Sequence, residues 1–332
     1  MLCYSTTLQP YPDGKTNQLF LSQRTVNNAT VFYTYMWKNN IIKLASKLNT
    51  RLNTTRVGNF KFVRGFKRGV RRPMDRLLIH GISPLIKING LSIYIYPSIS
   101  GVIAYVTQSF EPYTTKLFEQ AIKPGAIVLD IGAQFGYFSL IAAKQVGQKG
   151  RVYAFEPVSA NFQILVKNIQ MNGYTDIIHA TQKAVGDKLE TTTIFIYEGS
   201  DSHSMYRDPR AEVKETALVK CVTVDKFLNG QSVDVIKMDI EGNEPRALEG
   251  MKQTILKSDN LVLFIEFTPD NLRHAGVKPK DYILQIEKLG FDVQLIDEHS
   301  QRLKPIAEAL IMKNDPSWYA NLYCTKSKIN TR

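Results

Sequence analysis

The sequence predicts an α/β fold with a mostly parallel sheet covered by helices on both faces. After Pro124 and Gly125, short apolar segments alternate with segments of helical periodicity, which is typical of such a sheet. One apolar segment runs into a glycine turn and then a helix, the arrangement that forms a ligand crevice in an open parallel sheet. The chain has 332 residues and 44% apolar content, enough for a full core and additional material.

Seven strands are expected after the proline and glycine, at 127–131, 152–155, 177–180, 235–238, 261–267, 291–296 and 319–325. Two more are expected at 192–197 and 218–223, on either side of a polar stretch. Helices should begin near Tyr137, Ser159, Pro245 and Pro279. The two prolines suit first-turn positions, because the N–H that proline lacks has no partner there.

The positive charge is concentrated near the N-terminus. The net charge is +12, and residues 1–100 contain 15 Lys and Arg against only two acids. We divide the chain into a loosely ordered tail at 1–30, a basic extension at 31–100 and the α/β domain at 101–332. The extension should contain small strands and an amphipathic helix from Phe32 to Leu48, which either packs on the domain or lies on a membrane surface.

The basic run at 61–76 could contact an anionic membrane surface or a nucleic acid, and the alternative is a solvated loop without a partner. Cys3, Cys221 and Cys324 are too widely spaced for a disulfide framework or a zinc site. No apolar stretch is long enough to span a bilayer, and the first residues lack the order of a signal peptide. We therefore expect a cytoplasmic protein, with a peripheral membrane contact as an alternative.

The first strand of the α/β region leads into a glycine turn. The segment AIVLDIGAQFGYFSLIAA is interpreted as a buried strand, a turn with Gly132 and Gly136, and a helix. Glycine at these positions lets the backbone turn sharply and approach a ligand closely. The turn should therefore form one wall of the crevice at the carboxyl edge of the sheet.

The spacing of the glycines distinguishes two cofactors. A dinucleotide fingerprint would require glycine at the positions that hold Gln134 and Tyr137, so a pyrophosphate would lack a close backbone approach. S-adenosylmethionine has no phosphate, and its sulfonium and ammonium cations suit a strand that ends in a carboxylate such as Asp130. Glu156, at the end of the next strand, can accept both hydroxyls of an adenosine ribose, and a surface glutamate is the alternative.

Five sequence blocks carry a more specific resemblance. In chain order they are VLDIGAQFGYFSL, AFEPVSANFQILVKNIQMNG, KAVGD, DVIKMDIEGNEPRALEGM and LVLFIEF. Over about residues 100–325 the chain resembles the FkbM family of S-adenosylmethionine-dependent methyltransferases. The resemblance implies a Rossmann-like class I methyltransferase fold, whose seven-stranded sheet has an antiparallel last strand.

The resemblance also implies O-methylation of a hydroxyl on a saccharide or a secondary metabolite. The cofactor positions that it implies are Asp130, Gly132, Gly136 and Glu156, with Lys183 and Ala184 beside the adenine. Gln134 stands where the family commonly has asparagine, so the hydrogen bonds of the turn could differ. This departure affects the fine geometry of the turn but not the identity of the cofactor.

The block KMDIEGNE places acids at the carboxyl end of the fourth strand, which faces the crevice. A sugar hydroxyl is a weak nucleophile and benefits from a base. Asp239 is the first candidate for base or substrate anchor, with Glu266 at the end of the next strand as its partner. Glu241 and Glu244 either share this role or hold the turn and the start of the following helix.

Two further ideas concern the same crevice. Asp239 and Glu266 could hold a divalent cation, although two carboxylates without a third ligand do not favour a metal site. His203, in the polar stretch, could serve as a base at neutral pH or could be a solvated loop residue.

Two other functions compete with methylation of a small hydroxylated acceptor. An RNA ribose methyltransferase could use the basic run to hold phosphates, whereas base methylation is disfavoured because MDIEGN lacks the N-P-P-[YF] pattern. A non-catalytic module could bind a glycan or a membrane surface. The intact pair of Asp130 and Glu156 favours an enzyme over such a module. The sequence predicts no particular oligomeric state.

Overall fold

The computed structural model of the chain describes residues 85–95, 110–197, 203–311 and 318–326. The predicted tail at 1–30, the amphipathic helix from 32 to 48 and the basic run at 61–76 lie outside the described residues. Among the described helices, none has the length and apolar character needed to cross a bilayer.

The described strands are β1 (Leu85–Ile88), β2 (Leu91–Tyr94), β3 (Ile127–Ile131), β4 (Arg151–Phe155), β5 (Ile178–Thr181), β6 (Ala184–Val185), β7 (Glu190–Tyr197), β8 (Val213–Val222), β9 (Val235–Met238), β10 (Val262–Phe267), β11 (Phe291–Asp297), β12 (Arg302–Pro305) and β13 (Ala320–Lys326). The described helices are α1 (Pro112–Ala121), α2 (Tyr137–Val146), α3 (Ser159–Met171), α4 (Val224–Leu228), α5 (Glu244–Glu249), α6 (Lys252–Lys257), α7 (Pro269–His274), α8 (Pro279–Lys288) and α9 (Ile306–Ile311).

The central sheet has the strand order β12-β11-β13-β10-β9-β3-β4-β5. The pairs β3–β4, β4–β5, β3–β9 and β9–β10 are parallel, and β13 is antiparallel to both β10 and β11. The chain moves from β3 toward β5 on one side and returns to β9 on the other. The strand order therefore reverses beside β3, and this reversal opens a crevice at the carboxyl ends of β3 and β9.

The predicted fold class is confirmed, including the antiparallel strand near the C-terminus. The structure adds an eighth strand to the seven that the resemblance implies, because β12 forms an antiparallel hairpin with β11. The two extra strands predicted around the polar stretch form β7 and β8, which belong to a separate three-stranded sheet with β6. Helices begin at Tyr137, Ser159, Glu244 and Pro279, within one residue of the predicted positions.

The central strands are buried on both faces because helices cover each side of the sheet. Adjacent residues of β3 illustrate this, since Val128 belongs to one apolar core and Leu129 to the other. Both side chains have no exposed surface. A strand buried on both faces reads as a continuous apolar run, which explains why the sequence pattern identified these strands so closely.

Two asparagines, Asn168 within α3 and Asn172 directly after it, connect the β1–β2 hairpin to the rest of the fold. Asn168 accepts a hydrogen bond from the Tyr94 amide at 2.7 Å and donates to the Tyr94 carbonyl at 2.8 Å. Asn172 makes the same pair of hydrogen bonds with Ser92, at 2.9 and 2.7 Å. Asn168 also donates to the carbonyl of Phe135 at 2.7 Å, so α3 joins the hairpin to the glycine turn.

Candidate active site

A cavity of about 400 Å³ lies at the carboxyl ends of β3, β4, β9 and β10. Eight of the ten predicted site residues line it, namely Gly132, Gln134, Glu156, Lys183, Ala184, His203, Asp239 and Glu266. The other two, Asp130 and Gly136, belong to the adjoining strand and turn but do not line the cavity. The structure therefore brings together residues separated by more than a hundred positions in the chain.

Gly132 and Gly136 have positive φ values of 87° and 94°, a region that side chains rarely adopt. A Cβ atom at Gly132 would lie 1.9 Å from the carbonyl oxygen of Asp239, and one at Gly136 would lie 2.6 Å from Leu165 Cδ1. The amides of Gly132 and Ala133 both donate to the Phe155 carbonyl at 2.9 Å. The turn is thus packed tightly between β4, α3 and the end of β9.

Glu156 is buried beside this turn. Its Oε2 accepts a hydrogen bond from the Gln134 amide at 2.9 Å, and its Oε1 accepts from the Val158 amide at 2.9 Å and from Asn161 Nδ2 at 3.4 Å. Burial raises the pKa of Glu156 to about 7, against the lowering effect of these donors. The carboxyl therefore holds the turn in place and also forms part of the cavity wall.

Asp130 lies behind the cavity at the end of β3. Its Oδ2 accepts a hydrogen bond of 2.5 Å from the Ser139 hydroxyl, which connects the strand to α2. Burial raises the pKa of Asp130 to about 6, although Ser139 and Lys237 both lower it. Asp130 does not line the cavity, so it can influence a ligand only through its charge and through the glycine turn that follows it.

A buried lysine stands among the acids of the site. Lys237 is 1% exposed, and its Nζ lies 3.4 Å from Oδ2 of Asp239, whose side chain is 33% exposed. Burial alone would lower the pKa of Lys237, but the carboxyls of Asp239, Glu111 and Glu266 hold it above its ordinary value. Lys237 is therefore a permanent positive charge beneath the acidic wall of the cavity.

Glu111 is a site residue that the sequence analysis missed. It lines the cavity, is 8% exposed, and precedes Pro112 at the start of α1 with a φ of 41°. Burial raises its pKa to about 7, while Lys237 lowers it and Asp239 raises it. The only sequence signal is an acid followed by a helix-starting proline, which lies far from the motif blocks.

The two glutamates of KMDIEGNE have different surroundings. Glu244 accepts hydrogen bonds from the amides of Ile240 and Gly242, both at 2.9 Å, which is the turn-holding arrangement considered above. Burial raises the pKa of Glu244 to about 8. Glu241 lines the cavity and accepts a hydrogen bond from Asn271 at 2.6 Å.

Glu241 provides the third carboxylate that the sequence-based metal hypothesis lacked. Carboxylate oxygens of Asp239, Glu241 and Glu266 lie within 4.8 Å of one another, a spacing that could hold a divalent cation. The ammonium of Lys237 already pairs with Asp239, however, and a second cation at the same carboxylate would be repelled. Lys237 therefore offsets one of the three carboxylate charges and would compete with a cation at Asp239.

The polar groups that line the cavity suit S-adenosylmethionine. Glu156 and Asp239 are acceptors that can face hydroxyls and cationic groups, as a ribose, a sulfonium and an ammonium require. The backbone at Gln134 has a positive φ of 52°, yet no glycine there provides the close approach that a pyrophosphate needs. The strand order and this cavity fit the class of S-adenosylmethionine-dependent methyltransferases.

Comparison with known proteins supports the class of S-adenosylmethionine-dependent methyltransferases and indicates a particular domain family within it. Residues 130–293 match the methyltransferase FkbM domain, which confirms the resemblance predicted from the sequence. Methyltransferase sdnD from Sordaria araneosa is 24% identical over 241 residues, covering 63% of this chain and 89% of that protein. The hexuronic acid methyltransferase AglP from Haloferax volcanii is 27% identical over 175 residues, covering 50% of this chain and 64% of that protein.

Two solved structures of O-methyltransferases also match part of the chain. The S-adenosylmethionine-dependent O-methyltransferase from Thermotoga maritima has 12% identity and a TM-score of 0.39, covering 76% of this chain and 81% of that one. The O-methyltransferase from Bacillus cereus in complex with S-adenosylhomocysteine has 13% identity and a TM-score of 0.38, covering 67% and 81%.

Proposed function

We propose that the chain transfers the methyl group of S-adenosylmethionine to a hydroxyl oxygen of a saccharide or a related hydroxylated small molecule. The observation that carries this proposal is that Glu156 and Asp239 face one cavity from two different strands. Glu156 can hold the ribose of the cofactor, while Asp239 contacts the acceptor. A family relative named as a hexuronic acid methyltransferase supports a sugar-like acceptor.

The residues divide into a donor side and an acceptor side. On the donor side, Glu156 accepts hydrogen bonds from the ribose hydroxyls, and Lys183 and Ala184 form the wall beside the adenine. When bound, S-adenosylmethionine supplies an electrophilic methyl group and leaves as S-adenosylhomocysteine. Holding the acceptor oxygen in line with this methyl group supplies much of the rate.

On the acceptor side, Asp239 takes the proton of the acceptor hydroxyl as the oxygen forms its bond to the methyl carbon. The neighbouring ammonium of Lys237, 3.4 Å away, orients the Asp239 carboxylate. Burial and the acids Asp239, Glu241 and Glu244 raise the pKa of Glu266 well above its ordinary value. When it is protonated, Glu266 can donate a hydrogen bond to a second oxygen of the acceptor. His203 stays an alternative base, since it lines the same cavity.

The variant Asp239→Asn tests this assignment. It keeps the size of the side chain but removes the base, so turnover should fall at least a hundredfold while affinity for S-adenosylhomocysteine stays near that of the wild type. Calorimetric titration measures the affinity, and release of S-adenosylhomocysteine measures turnover. Asp259→Asn, at an exposed position between α6 and β10, is the matched control. Retained turnover in Asp239→Asn would reject Asp239 as the base and move the test to His203→Gln.

A further inference from the structure

A second cavity, of about 650 Å³, adjoins the first, and Glu111 and Tyr319 belong to the walls of both. The second cavity is bounded by the end of β11, the start of β13 and the start of α1. Its volume is typical of a site for a small organic ligand. An acceptor that reached past Glu111 and Tyr319 would have one part in each cavity.

Buried polar groups without partners lie at the junction. Asn321 is 2% exposed, and neither its side-chain oxygen nor its nitrogen has a hydrogen-bond partner among the described residues. By hydrogen-bond geometry the Oε2 atom of Glu111 also lacks a partner there, although the side-chain amide of Asn321 faces the Glu111 carboxyl as a hydrogen-bond donor and lowers its pKa. Buried polar groups in native proteins nearly always have partners, so these atoms point to a ligand that supplies them.

Asn321 is also next to the proposed reaction centre. It pairs with Glu266 across the antiparallel strands β10 and β13. An amide offers two donors and an acceptor, whereas a carboxylate offers only acceptors. Ligand hydroxyls both donate and accept, so neighbouring hydroxyls on one ring could satisfy Asn321 and Glu111 together.

The charge of the second cavity limits the kind of ligand. Its lining contains the acids Glu111, Asp297, Glu298 and Glu308, and Lys304 is the only lysine or arginine among the described residues of this lining. The ammonium of Lys304 lies 2.6 Å from Asp297 and 3.2 Å from Glu308, so it is already paired. A ligand carboxylate placed here would meet four acids, and the exposed His299 is the other basic side chain among the described residues of the lining.

Aromatic rings complete the wall. Trp318 and Tyr319 both line the second cavity, and Tyr319 is 54% exposed. Trp318 is held edge-on against Phe267 with the ring centroids 6.1 Å apart. Rings of this kind offer a flat apolar surface to the C–H face of a sugar, together with a polar tip that can form hydrogen bonds.

We propose, building on the proposed function, that the acceptor is a neutral or amino sugar rather than a uronate, seated in the second cavity with Asn321 and Glu111 as its hydrogen-bond partners. This assigns the second cavity as the acceptor subsite. It also distinguishes this chain from its relative that acts on hexuronic acid.

The first experiment compares three probes with the full chain and S-adenosylmethionine. Methyl glucoside, methyl glucosaminide and methyl glucuronide are supplied in parallel, and release of S-adenosylhomocysteine is measured. We expect kcat/KM for the glucoside or the glucosaminide to exceed that for the glucuronide by at least tenfold. A preference for the glucuronide, or methylation of none of the three by a protein that binds S-adenosylhomocysteine, would overturn this inference. Failure to bind S-adenosylhomocysteine would overturn the proposed function itself.

The second experiment uses Asn321→Leu, which keeps the branching at Cγ but has no polar side-chain atoms. Because the Asn321 amide is buried without a partner, this change should leave the melting temperature unchanged or raise it. The same change should raise KM for the preferred glycoside at least tenfold without altering affinity for S-adenosylhomocysteine. Thr325→Val, farther along the same strand, is the control and should leave KM unchanged. A loss of stability with an unaltered KM would show that Asn321 is structural and would reject its role in the subsite.

Discussion

The carbonyl oxygen of Asp239 lies 1.9 Å from the position that a Cβ atom at Gly132 would occupy. The new Cβ atom would meet a backbone carbonyl, and neither of these atoms can move away by rotation of a side chain. Gly132→Ala should therefore push the end of β9 away from the turn and displace Asp239. We expect the free energy of unfolding to fall by about 3 kcal/mol and the affinity for S-adenosylhomocysteine to fall at least tenfold.

Gly173→Ala is the matched control for this prediction. Gly173 also has a positive φ, of 71°, but a Cβ atom there meets nothing within 4 Å. The free energy of unfolding should fall only by the backbone cost of about 1 kcal/mol, and the affinity for S-adenosylhomocysteine should not change. Urea denaturation and calorimetric titration of both variants provide the comparison, and equal losses in the two would contradict the packing argument.

Glu156 offers a test of the cofactor side of the site. Glu156→Ala removes a carboxyl that accepts hydrogen bonds from the amides of Gln134 and Val158 and that we assign to the ribose. Affinity for S-adenosylhomocysteine should fall on the order of a hundredfold. Asp234→Asn is the control, since Asp234 accepts a backbone hydrogen bond from Ile127 at the opposite end of β3. An affinity that stays the same in Glu156→Ala would remove the assignment.

The buried carboxyl of Glu111 predicts a dependence of stability on pH. Its pKa in the folded state is about 7, above the ordinary value of 4.5, so the folded protein keeps this proton to higher pH than the unfolded chain does. The stabilising contribution is complete below about pH 4.5 and is lost as the pH rises through about 7. The free energy of unfolding should therefore decrease between about pH 5 and about pH 8.

Glu111→Gln isolates this effect because glutamine does not titrate. The decrease between about pH 5 and about pH 8 should become smaller by on the order of 2–3 kcal/mol, since one pKa unit corresponds to about 1.4 kcal/mol. Urea denaturation at several pH values measures it. Glu287→Gln, at an exposed position on α8, should leave the pH dependence of the wild type intact. An unaltered pH profile in Glu111→Gln would contradict the raised pKa.

Lys237 is the counter-ion for the acids around it, and its removal should be costly. Lys237→Met leaves Asp239 and the nearby Glu111 without a positive charge, so the free energy of unfolding should fall by about 3–5 kcal/mol. Adding Asp239→Asn should restore part of this loss, because one uncompensated charge then disappears. Chemical denaturation of the two single variants and the double variant measures the coupling. Lys220→Met, exposed on β8, is the control; simple additivity would argue against the ion pair.

The strands and the glycine turn could be predicted from the sequence because their signals are local. β3 and β9 are short apolar runs with a distinct end, and a turn that needs positive φ must place glycine at Gly132 and Gly136. The hairpin strand β12 was missed because its sequence, RLKP, carries two charges and a proline. The helix α1 was missed because it contains only three buried residues, Thr114, Thr115 and Phe118, of which two are polar.

The acceptor side of the site could not be predicted for a different reason. Glu111 and Asn321 are more than 200 positions apart, and neither belongs to a motif. They meet because β13 inserts between β10 and β11 while α1 packs against the same end of the sheet. Sequence patterns report periodicity and spacing along the chain, so a pair created by strand order has no local signature.

The position of β13 has a consequence for how the protein forms during synthesis. β13 is the last described strand in chain order, yet it separates β10 from β11 inside the sheet. Because β11 and β12 reach the sheet only through β13, they must wait for it after they leave the ribosome. The half of the sheet that holds Glu156 and Asp239 uses strands that are synthesised before β13, so it can assemble earlier. A nascent chain should therefore form the proposed donor side first and the proposed acceptor subsite only when β13 enters the sheet.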